Sequence, residues 1–263
     1  MSLKFTKYHG CGNDYVYIDC FENEIENPEN LSKKVSNRNF GIGSDGLILI
    51  LPSKVADAKM RIFNSDGSEA KMCGNGIRCV AKYLADNKFF SKKSINIETL
   101  SGIKKTEIIE SGDTLSKVKV DMGKPEFIRD LDFKEFPNQK SVYVSMGNPH
   151  CVVFCPEIDS IDLYESGTNI QNKEIFTEGV NVEFVEVNSR NDIRIRVLER
   201  GSGETLACGT GACASVVAAN HLGLCDKNVI VHLLGGDILV EYEKDTVFMT
   251  GNAVKVFEGE YYG

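Results

Sequence analysis

The sequence predicts an α+β protein made of two pseudo-symmetric repeat domains, each with strands wrapped around a central helix. The first observation is a repeated motif, Met-Cys-Gly-Asn-Gly at residues 72–76 and Ala-Cys-Gly-Thr-Gly at residues 207–211. The second is that the two cysteines are 135 residues apart (208 − 73), about half of the 263-residue chain. The third is that strand-like segments precede both motifs and a helix-like segment follows each.

Further pairs of residues keep the same offset, and chance similarity of two glycine-rich loops does not explain several matches in one register. The pairs are Gly12–Asn13 with Gly147–Asn148, Cys20 with Cys155, Glu22 with Glu157, Glu69 with Glu204, and residues 59–64 with 194–199. We interpret the chain as two copies of one unit, with domains over residues 1–118 and 119–251. The last strand-like segment, near Val254–Phe257, is a candidate to return to the first domain as part of residues 252–263.

Each copy contains several short segments with the apolar runs or alternation typical of strands. They are Tyr15–Asp19, Leu47–Leu51, Met60–Phe63, Ser94–Thr99, Ser141–Met146, Asn181–Val187, Asp192–Leu198 and Ile238–Glu243. The apolar stripe after Cys73 predicts an amphipathic helix, whereas Ala212–Ala219 is small and apolar nearly all round, which predicts a buried one. The segment Gly123–Gln139, with two prolines and many charges, is predicted to connect the copies.

Composition excludes several classes of protein. The chain has 30 Lys and Arg against 38 Asp and Glu, and a formal net charge of −8 disfavours binding to nucleic acid. We find no apolar run of about 18 residues that would predict a membrane span, and no secretory pattern at the N-terminus. Nine cysteines, an odd number, do not form the pattern of a disulfide framework and indicate a reducing compartment. We therefore expect a cytoplasmic protein that binds neither nucleic acid nor membrane.

The two motif cysteines have a position that suits acid–base chemistry. A helix N-terminus attracts anions and favours thiolate over thiol, which should draw a cysteine pKa from about 8.5 toward neutrality. Pseudo-symmetric copies facing each other would place one thiol on each face of a substrate in the cleft between the domains. Inverting a stereocentre by proton exchange requires that layout, because a base removes a proton on one face while an acid delivers one on the other.

Five segments resemble those of the diaminopimelate epimerase family, and together they span essentially the whole chain. They are Tyr-His-Gly-Cys-Gly-Asn-Asp at residues 8–14, Met-Cys-Gly-Asn-Gly-Ile-Arg at 72–78, Gly-Asn-Pro-His at 147–150, Glu-Arg-Gly at 199–201 and Ala-Cys-Gly-Thr-Gly at 207–211. Proline racemases and phenazine-type isomerases share the paired Cys-Gly-X-Gly elements. At Asn75 and at the Glu199–Arg200 pair, the sequence resembles the epimerases rather than the racemases or the phenazine-type isomerases.

The resemblance implies a cofactor-independent epimerase that interconverts LL- and meso-diaminopimelate on the route to lysine and peptidoglycan. It implies Cys73 and Cys208 as the catalytic acid–base pair and His150 as a supporting residue. The implied substrate-binding residues are Asn13, Asn64, Gly74, Asn75, Asn148, Asn181, Glu199, Arg200, Gly209 and Thr210. Gly46 is a departure, since many members have a substrate-contacting Gln there. We expect no metal and no partner besides the small-molecule substrate, and a homodimer is compatible with the sequence.

Two other functions stay open at this point. The same fold and chemistry could act on proline or hydroxyproline, although Asn75 and the Glu199–Arg200 pair favour diaminopimelate. A non-catalytic thiol switch, in which two cysteines form a reversible disulfide, would explain the paired cysteines but not the polar residues around them.

Patterns for other cofactors are weak. Residues 41–46 match Gly-X-Gly-X-X-Gly, but a strand-like segment follows where a dinucleotide fingerprint requires a helix. We find no Cys-X-X-Cys pair for zinc and no lysine in the duplicated Cys-Gly-X-Gly elements for a pyridoxal Schiff base.

Overall fold

The computed structural model describes residues 2–133 and 139–263, which form two compact units. Unit 1 comprises Met1–Val120 and Gly251–Gly263, and unit 2 comprises Asp121–Thr250. The chain passes from unit 1 to unit 2 within one strand, Leu115–Gly123, and returns within another, Thr246–Tyr261.

Unit 1 is a set of strands with two helices. Its elements are β1 (Leu3–Gly10), β2 (Asn13–Asp19), α1 (Pro28–Ser36), β3 (Gly46–Leu51), β4 (Ala58–Asn64), β5 (Glu69–Ala70), α2 (Gly74–Asp86), β6 (Ser94–Thr99), β7 (Gly102–Glu110) and β8 (Leu115–Gly123). The pairs β2–β3 and β4–β6 are parallel, and the pairs β1–β2, β3–β4, β4–β5, β6–β7 and β7–β8 are antiparallel.

Unit 2 repeats this arrangement. Its elements are β9 (Phe127–Leu131), β10 (Ser141–Ser145), β11 (Pro149–Phe154), α3 (Leu163–Gln171), β12 (Asn181–Ser189), β13 (Asp192–Glu199), β14 (Gly203–Glu204), α4 (Gly209–His221), β15 (Asn228–Leu233) and β16 (Gly236–Glu243). The parallel pairs are β11–β12 and β13–β15. The last strand, β17 (Thr246–Tyr261), pairs antiparallel with β1, so the end of the chain belongs to unit 1.

The predicted repeat is confirmed at the level of strand register. Tyr15 pairs with Gly46 between β2 and β3, and His150 pairs with Asn181 between β11 and β12, each 135 residues further on (150 − 15 and 181 − 46). Helices α2 and α4 each contain 13 residues and begin at the same offset (209 − 74). The two units therefore share one backbone plan, and differences between their sites come from side chains.

Both central helices are buried, but in different ways. Nearly every residue of α4 is a small buried one, as its composition predicts. Helix α2 buries its apolar stripe and also the polar residues Arg78 and Lys82, which are fully buried. The Lys82 ammonium donates to Asp86 and to the carbonyl oxygen of Gly112, so the buried charge is satisfied. Among the described residues, no helix is long and apolar enough to cross a membrane.

All eight predicted strands are present, as β2, β3, β4, β6, β10, β12, β13 and β16, although β10 ends at Ser145, one residue before the predicted end. The predicted connector Gly123–Gln139 is not wholly irregular, since it contains β9, which pairs with β10; its residues 134–138 lie outside the described part of the chain. Helices α1 and α3 were not predicted. Their N-caps, Asn27 and Asp162, are the local signals, because each side chain accepts a hydrogen bond from the first turn.

Candidate active site

The two motif cysteines are the N-cap residues of the central helices. Cys73 has an extended backbone, and its sulfur accepts a hydrogen bond from the amide of Gly76 at 3.3 Å. Cys208 does the same for α4, where the amide of Gly211 donates at 3.4 Å. Each sulfur therefore occupies the position where the amides of a first helical turn and the helix dipole stabilise negative charge. All nine cysteines of the chain are thiols.

Polar residues of unit 1 surround Cys73. Its Sγ lies 3.4 Å from Oδ1 of Asn13, which also accepts from Asn75 Nδ2 at 3.4 Å. Asp45 orients Asn13, because the Asn13 amide donates to the Asp45 carboxylate at 2.8 Å. The Tyr15 hydroxyl is hydrogen-bonded to Cys73, and its burial raises the pKa of Tyr15 well above its ordinary value. The structure thus brings Asn13 and Asn75 to one sulfur, with Tyr15 as a neighbour that the sequence reasoning missed.

Arg78 supports this group from inside the helix. Its guanidinium is fully buried and donates to Asn75 Oδ1 at 2.8 Å. It also donates to the carbonyl oxygens of Gly74 at 3.3 Å and Asn252 at 3.2 Å. Arg78 therefore holds the two residues that follow Cys73 in a set orientation.

In unit 2 a chain of hydrogen bonds leads to Cys208. Thr210 Oγ1 lies 3.5 Å from the Cys208 sulfur and accepts from Asn148 Nδ2 at 3.3 Å. Asn148 Oδ1 lies 3.1 Å from His150 Nε2, and His150 Nδ1 lies 2.7 Å from Glu183 Oε1. The predicted residues Asn148, His150 and Thr210 are thus connected to the sulfur.

Glu183 is the residue of this group that the sequence reasoning missed. Its side chain and that of His150 are both fully buried. The available signal was an acidic residue between two apolar ones, Val182 and Phe184, in the predicted strand Asn181–Val187. A charged group in such a place is retained only with a partner, and the partner here is His150.

Glu199 is the last residue of β13, one beyond the predicted strand Asp192–Leu198, and Thr205 donates to its carboxylate at 2.5 Å. Burial raises the pKa of Glu199, and the bond from Thr205 opposes the rise. Glu199 also hydrogen-bonds Cys208.

The pKa of Cys208 contradicts the sequence-based expectation for this residue. Burial, followed by the carboxylates of Glu199 and Glu183, raises the pKa of the Cys208 thiol well above its ordinary value. The hydrogen bonds from Thr210 and Gly211 act in the opposite direction and do not offset these effects. A helix N-terminus alone therefore does not determine the protonation state of a cysteine that is buried beside two acidic groups.

The other predicted substrate-binding residues have separate local roles in the structure. Asn181 Oδ1 accepts from the backbone amide of Arg200 at 2.9 Å, and the Arg200 guanidinium donates to the carbonyl oxygen of Glu178. Asn64 lies at the end of β4, where its amide donates to Ser68 at 3.0 Å and not to the Cys73 group. Gly74 and Gly209 are the first residues of α2 and α4.

The local structure explains why residue 46 is glycine in this chain. It pairs with Tyr15 on one side and with Asn64 on the other. A Cβ at Gly46 would lie 2.2 Å from the carbonyl oxygen of Phe63 and 2.9 Å from the Tyr15 ring. A larger residue does not fit this backbone.

Within residues 2–133 and 139–263, no group of three or more His, Cys, Asp or Glu side chains is arranged to hold a metal ion.

The fold is that of a known class of proteins. A Bacillus anthracis phenazine biosynthesis protein of the PhzF family has a TM-score of 0.77 at 19% identity, over 100% of both chains. A hydroxyproline epimerase from Agrobacterium vitis has a TM-score of 0.69 at 14% identity, over 98% of this chain and 90% of that one. At these identities the likeness concerns the fold.

Sequence comparison identifies the family within that class. The family model described as diaminopimelate epimerase matches residues 5–128 and 142–256. A diaminopimelate epimerase of Acetivibrio thermocellus is 50% identical over 98% of both chains, and one of Methanococcus maripaludis is 50% identical over 98% of this chain and 99% of its own. The chain belongs to the diaminopimelate epimerase family, a family of isomerases.

Proposed function

We propose that the protein interconverts LL- and meso-diaminopimelate without a cofactor, in the formation of lysine and peptidoglycan precursors. The observation that carries the proposal is the pair of equivalent cysteines, Cys73 and Cys208, each of which caps the central helix of its unit. Membership in the epimerase family supports the substrate. The thiols of all nine cysteines are consistent with a cytoplasmic location.

The reaction is a two-base proton exchange. A thiolate of one cysteine removes the α-proton, and the electron pair of the C–H bond stays on the α-carbon. The thiol of the other cysteine then delivers a proton to the opposite face, so that one S–H bond forms while the other breaks. We propose that first-turn amides of α2 and α4 bind the substrate carboxylate and stabilise the charge that develops on it, as the helix N-termini at Cys73 and Cys208 favour anions.

The polar residues around the cysteines suit the remaining groups of the substrate. Glu199 and the amide oxygen of Asn64 can accept hydrogen bonds from an ammonium group, and Arg200 has the fork geometry for a carboxylate. The other proposed contacts are Asn13, Gly74, Asn75, Asn148, Asn181, Gly209 and Thr210, with His150 in support. A site that hydrogen-bonds both ends of the substrate should strongly reject amino acids that lack the distal centre.

Proton NMR of LL-diaminopimelate in D₂O with reduced enzyme tests the proposal, with L-proline as a parallel control. We expect deuterium at the α-position of diaminopimelate and none in proline. The C73A and C208A variants should form no meso product. Deuterium exchange into proline alone would indicate a proline racemase instead of a diaminopimelate epimerase. Full turnover by C73A would contradict the two-thiol mechanism. Absence of exchange in both amino acids would favour the thiol switch.

A further inference from the structure

A buried carboxylate touches the first turn of helix α4. Glu183 is fully buried, and its Oε2 has no hydrogen-bond partner among the described residues. A Cβ on Gly211 would lie 2.5 Å from Glu183 Oε1, so the carboxylate lies against that glycine. The amide of Gly211 is the group that donates to the sulfur of Cys208. Gly211 therefore lies between the Glu183 carboxylate and the Cys208 sulfur and contacts both.

The orientation of the Glu183–His150 pair determines which of its two side chains acts on Cys208. The imidazole is bonded to Glu183 through Nδ1 and to Asn148 through Nε2, so the carboxylate is the end of the pair that contacts α4. A negative charge beside a thiol favours the protonated thiol, because the thiolate would be a like charge in a site of low dielectric. Glu199 acts on Cys208 in the same direction from β13.

Cys151 on β11 also lies near Glu183, and burial raises the pKa of its thiol, which keeps it uncharged. Two titratable groups on other strands packed against α4 interact with different residues. Tyr143 on β10 stacks on Phe176. His232 on β15 is bonded to Asp237 on β16. The acidic groups that act on Cys208 therefore come from β12 and β13.

The equivalent positions of unit 1 differ in charge. Ile48 stands where unit 2 has Glu183 (183 − 48 = 135), and Tyr15 stands where unit 2 has His150. The Gly76 amide and the Tyr15 hydroxyl donate to the Cys73 sulfur, as the Gly211 amide and the Thr210 hydroxyl do to Cys208. The acceptor beside Cys73, Asn13 Oδ1, is neutral, whereas the acceptor beside Cys208, Glu199, is a carboxyl group. The carboxylate that orients Asn13, Asp45, is ion-paired with Arg38 at 2.9 Å.

We propose that Glu183 is a positioning residue that keeps the proton on Cys208 before substrate binds, so that Cys208 starts the reaction as the acid and Cys73 as the base. The inference rests on the proposed function. In the first turnover Cys73 gains the α-proton, and Cys208 releases its proton to the carbanion and becomes a thiolate. Glu183 destabilises that thiolate and so favours the return of a proton to Cys208 for the next cycle.

The test is the pH dependence of alkylation by iodoacetamide in the reduced full-length enzyme, followed for each cysteine peptide by mass spectrometry. Between about pH 5 and about pH 11 the midpoint of the rate reports thiolate formation, whereas the plateau reports access. Burial and Glu199 also raise the midpoint of Cys208, so the change that E183Q causes is what isolates the effect of Glu183. We expect a higher midpoint for Cys208 than for Cys73. In E183Q the Cys208 midpoint should fall by about one pH unit or more, with that of Cys73 unchanged.

The matched control is E186Q, which makes the same change on the same strand. Glu186 accepts from the amide of Ile158 and raises the pKa of Cys155 rather than that of Cys208. Equal midpoints for Cys73 and Cys208 in the wild type, or equal effects of E183Q and E186Q, would overturn the inference. If E183Q does not fold, E183I, which introduces the side chain found at the equivalent position of unit 1, Ile48, replaces it in the test with the same expected fall of the Cys208 midpoint. Alkylation needs no substrate, so a failure of the proposed function would appear separately, as absent deuterium exchange.

Discussion

Glu183 in unit 2 and Ile48 in unit 1 occupy equivalent positions, each against the first turn of the central helix of its unit, although one side chain is acidic and the other apolar. A Cβ on Gly211 would lie 2.5 Å from the Glu183 carboxylate, and one on Gly76 would lie 2.7 Å from Ile48 Cδ1. A Cβ on the third residue of either helix would therefore meet a buried side chain. The backbone of the repeat is preserved at this point, while the charge beside each cysteine is not.

This relationship predicts unequal effects of G211A and G76A. Alanine gains about 1 kcal/mol of helix propensity in both, but overpacking a buried site costs about 1–3 kcal/mol. Glu183 is held by His150 and cannot move away, whereas Cδ1 of Ile48 is the end of an apolar side chain that can rotate. We expect urea denaturation to show a larger loss of stability for G211A than for G76A. The reverse order would show that Glu183 is not fixed.

Replacing Thr205 by valine should shift the acid side of the pH–activity profile. The Thr205 hydroxyl donates to Glu199 and lowers the pKa of that carboxyl, against the effect of burial. Without it the pKa of Glu199 rises further, so the ionised form is lost at a higher pH. A hydrogen bond to a charged group contributes about 1.5–3 kcal/mol, which predicts that the acid limb of the kcat/KM profile moves upward by about one pH unit or more. T205S should restore the wild-type profile, and an unshifted acid limb in T205V would contradict the role of Thr205.

Introducing glutamine at Gly46 should destabilise unit 1 rather than restore a substrate contact. The Cβ position is 2.2 Å from a backbone oxygen, that of Phe63, which cannot rotate away as a side chain can. We expect G46Q to lose about 3 kcal/mol in the free energy of unfolding. G46A is the control, because it has the same Cβ without the amide. Wild-type stability of both variants would mean that β3 and β4 can separate at this point.

The hydrogen bonds of His232 with two surface aspartates predict a pH-dependent contribution to the free energy of unfolding. Hydrogen bonds to Asp192 at 2.8 Å and Asp237 at 2.7 Å raise the pKa of His232. A raised pKa stabilises the fold fully below the unfolded value of about 6.5, and this stabilisation is lost as the pH rises through the folded value. H232Q should lose up to about 1 kcal/mol near pH 6, because the group is partly exposed, and less near pH 9. The same loss in urea denaturation at both pH values would show that the charge of His232 does not contribute.

Local patterns were enough to predict eight of the strands, the two central helices and the repeat. Strands β1, β7, β8, β11 and β15 were not among the predicted segments. Alternation and apolar stripes depend on residues near one another in the chain, and the offset of 135 residues is visible in the motif itself. The two short helices were missed because their caps, Asn27 and Asp162, precede only nine residues each. The strand β9 was missed because it depends on its pairing with β10.

The sequence by itself determined that two equivalent cysteines precede two equivalent helices, since the motif carries that information locally. Only the tertiary structure decided which charges surround each sulfur. Glu183 and Glu199 reach Cys208 from two different strands, and Tyr15 reaches Cys73 from a strand 58 residues earlier (73 − 15). A pKa is the sum of burial and of all neighbouring charges, and these are brought together by packing rather than by adjacency in the chain.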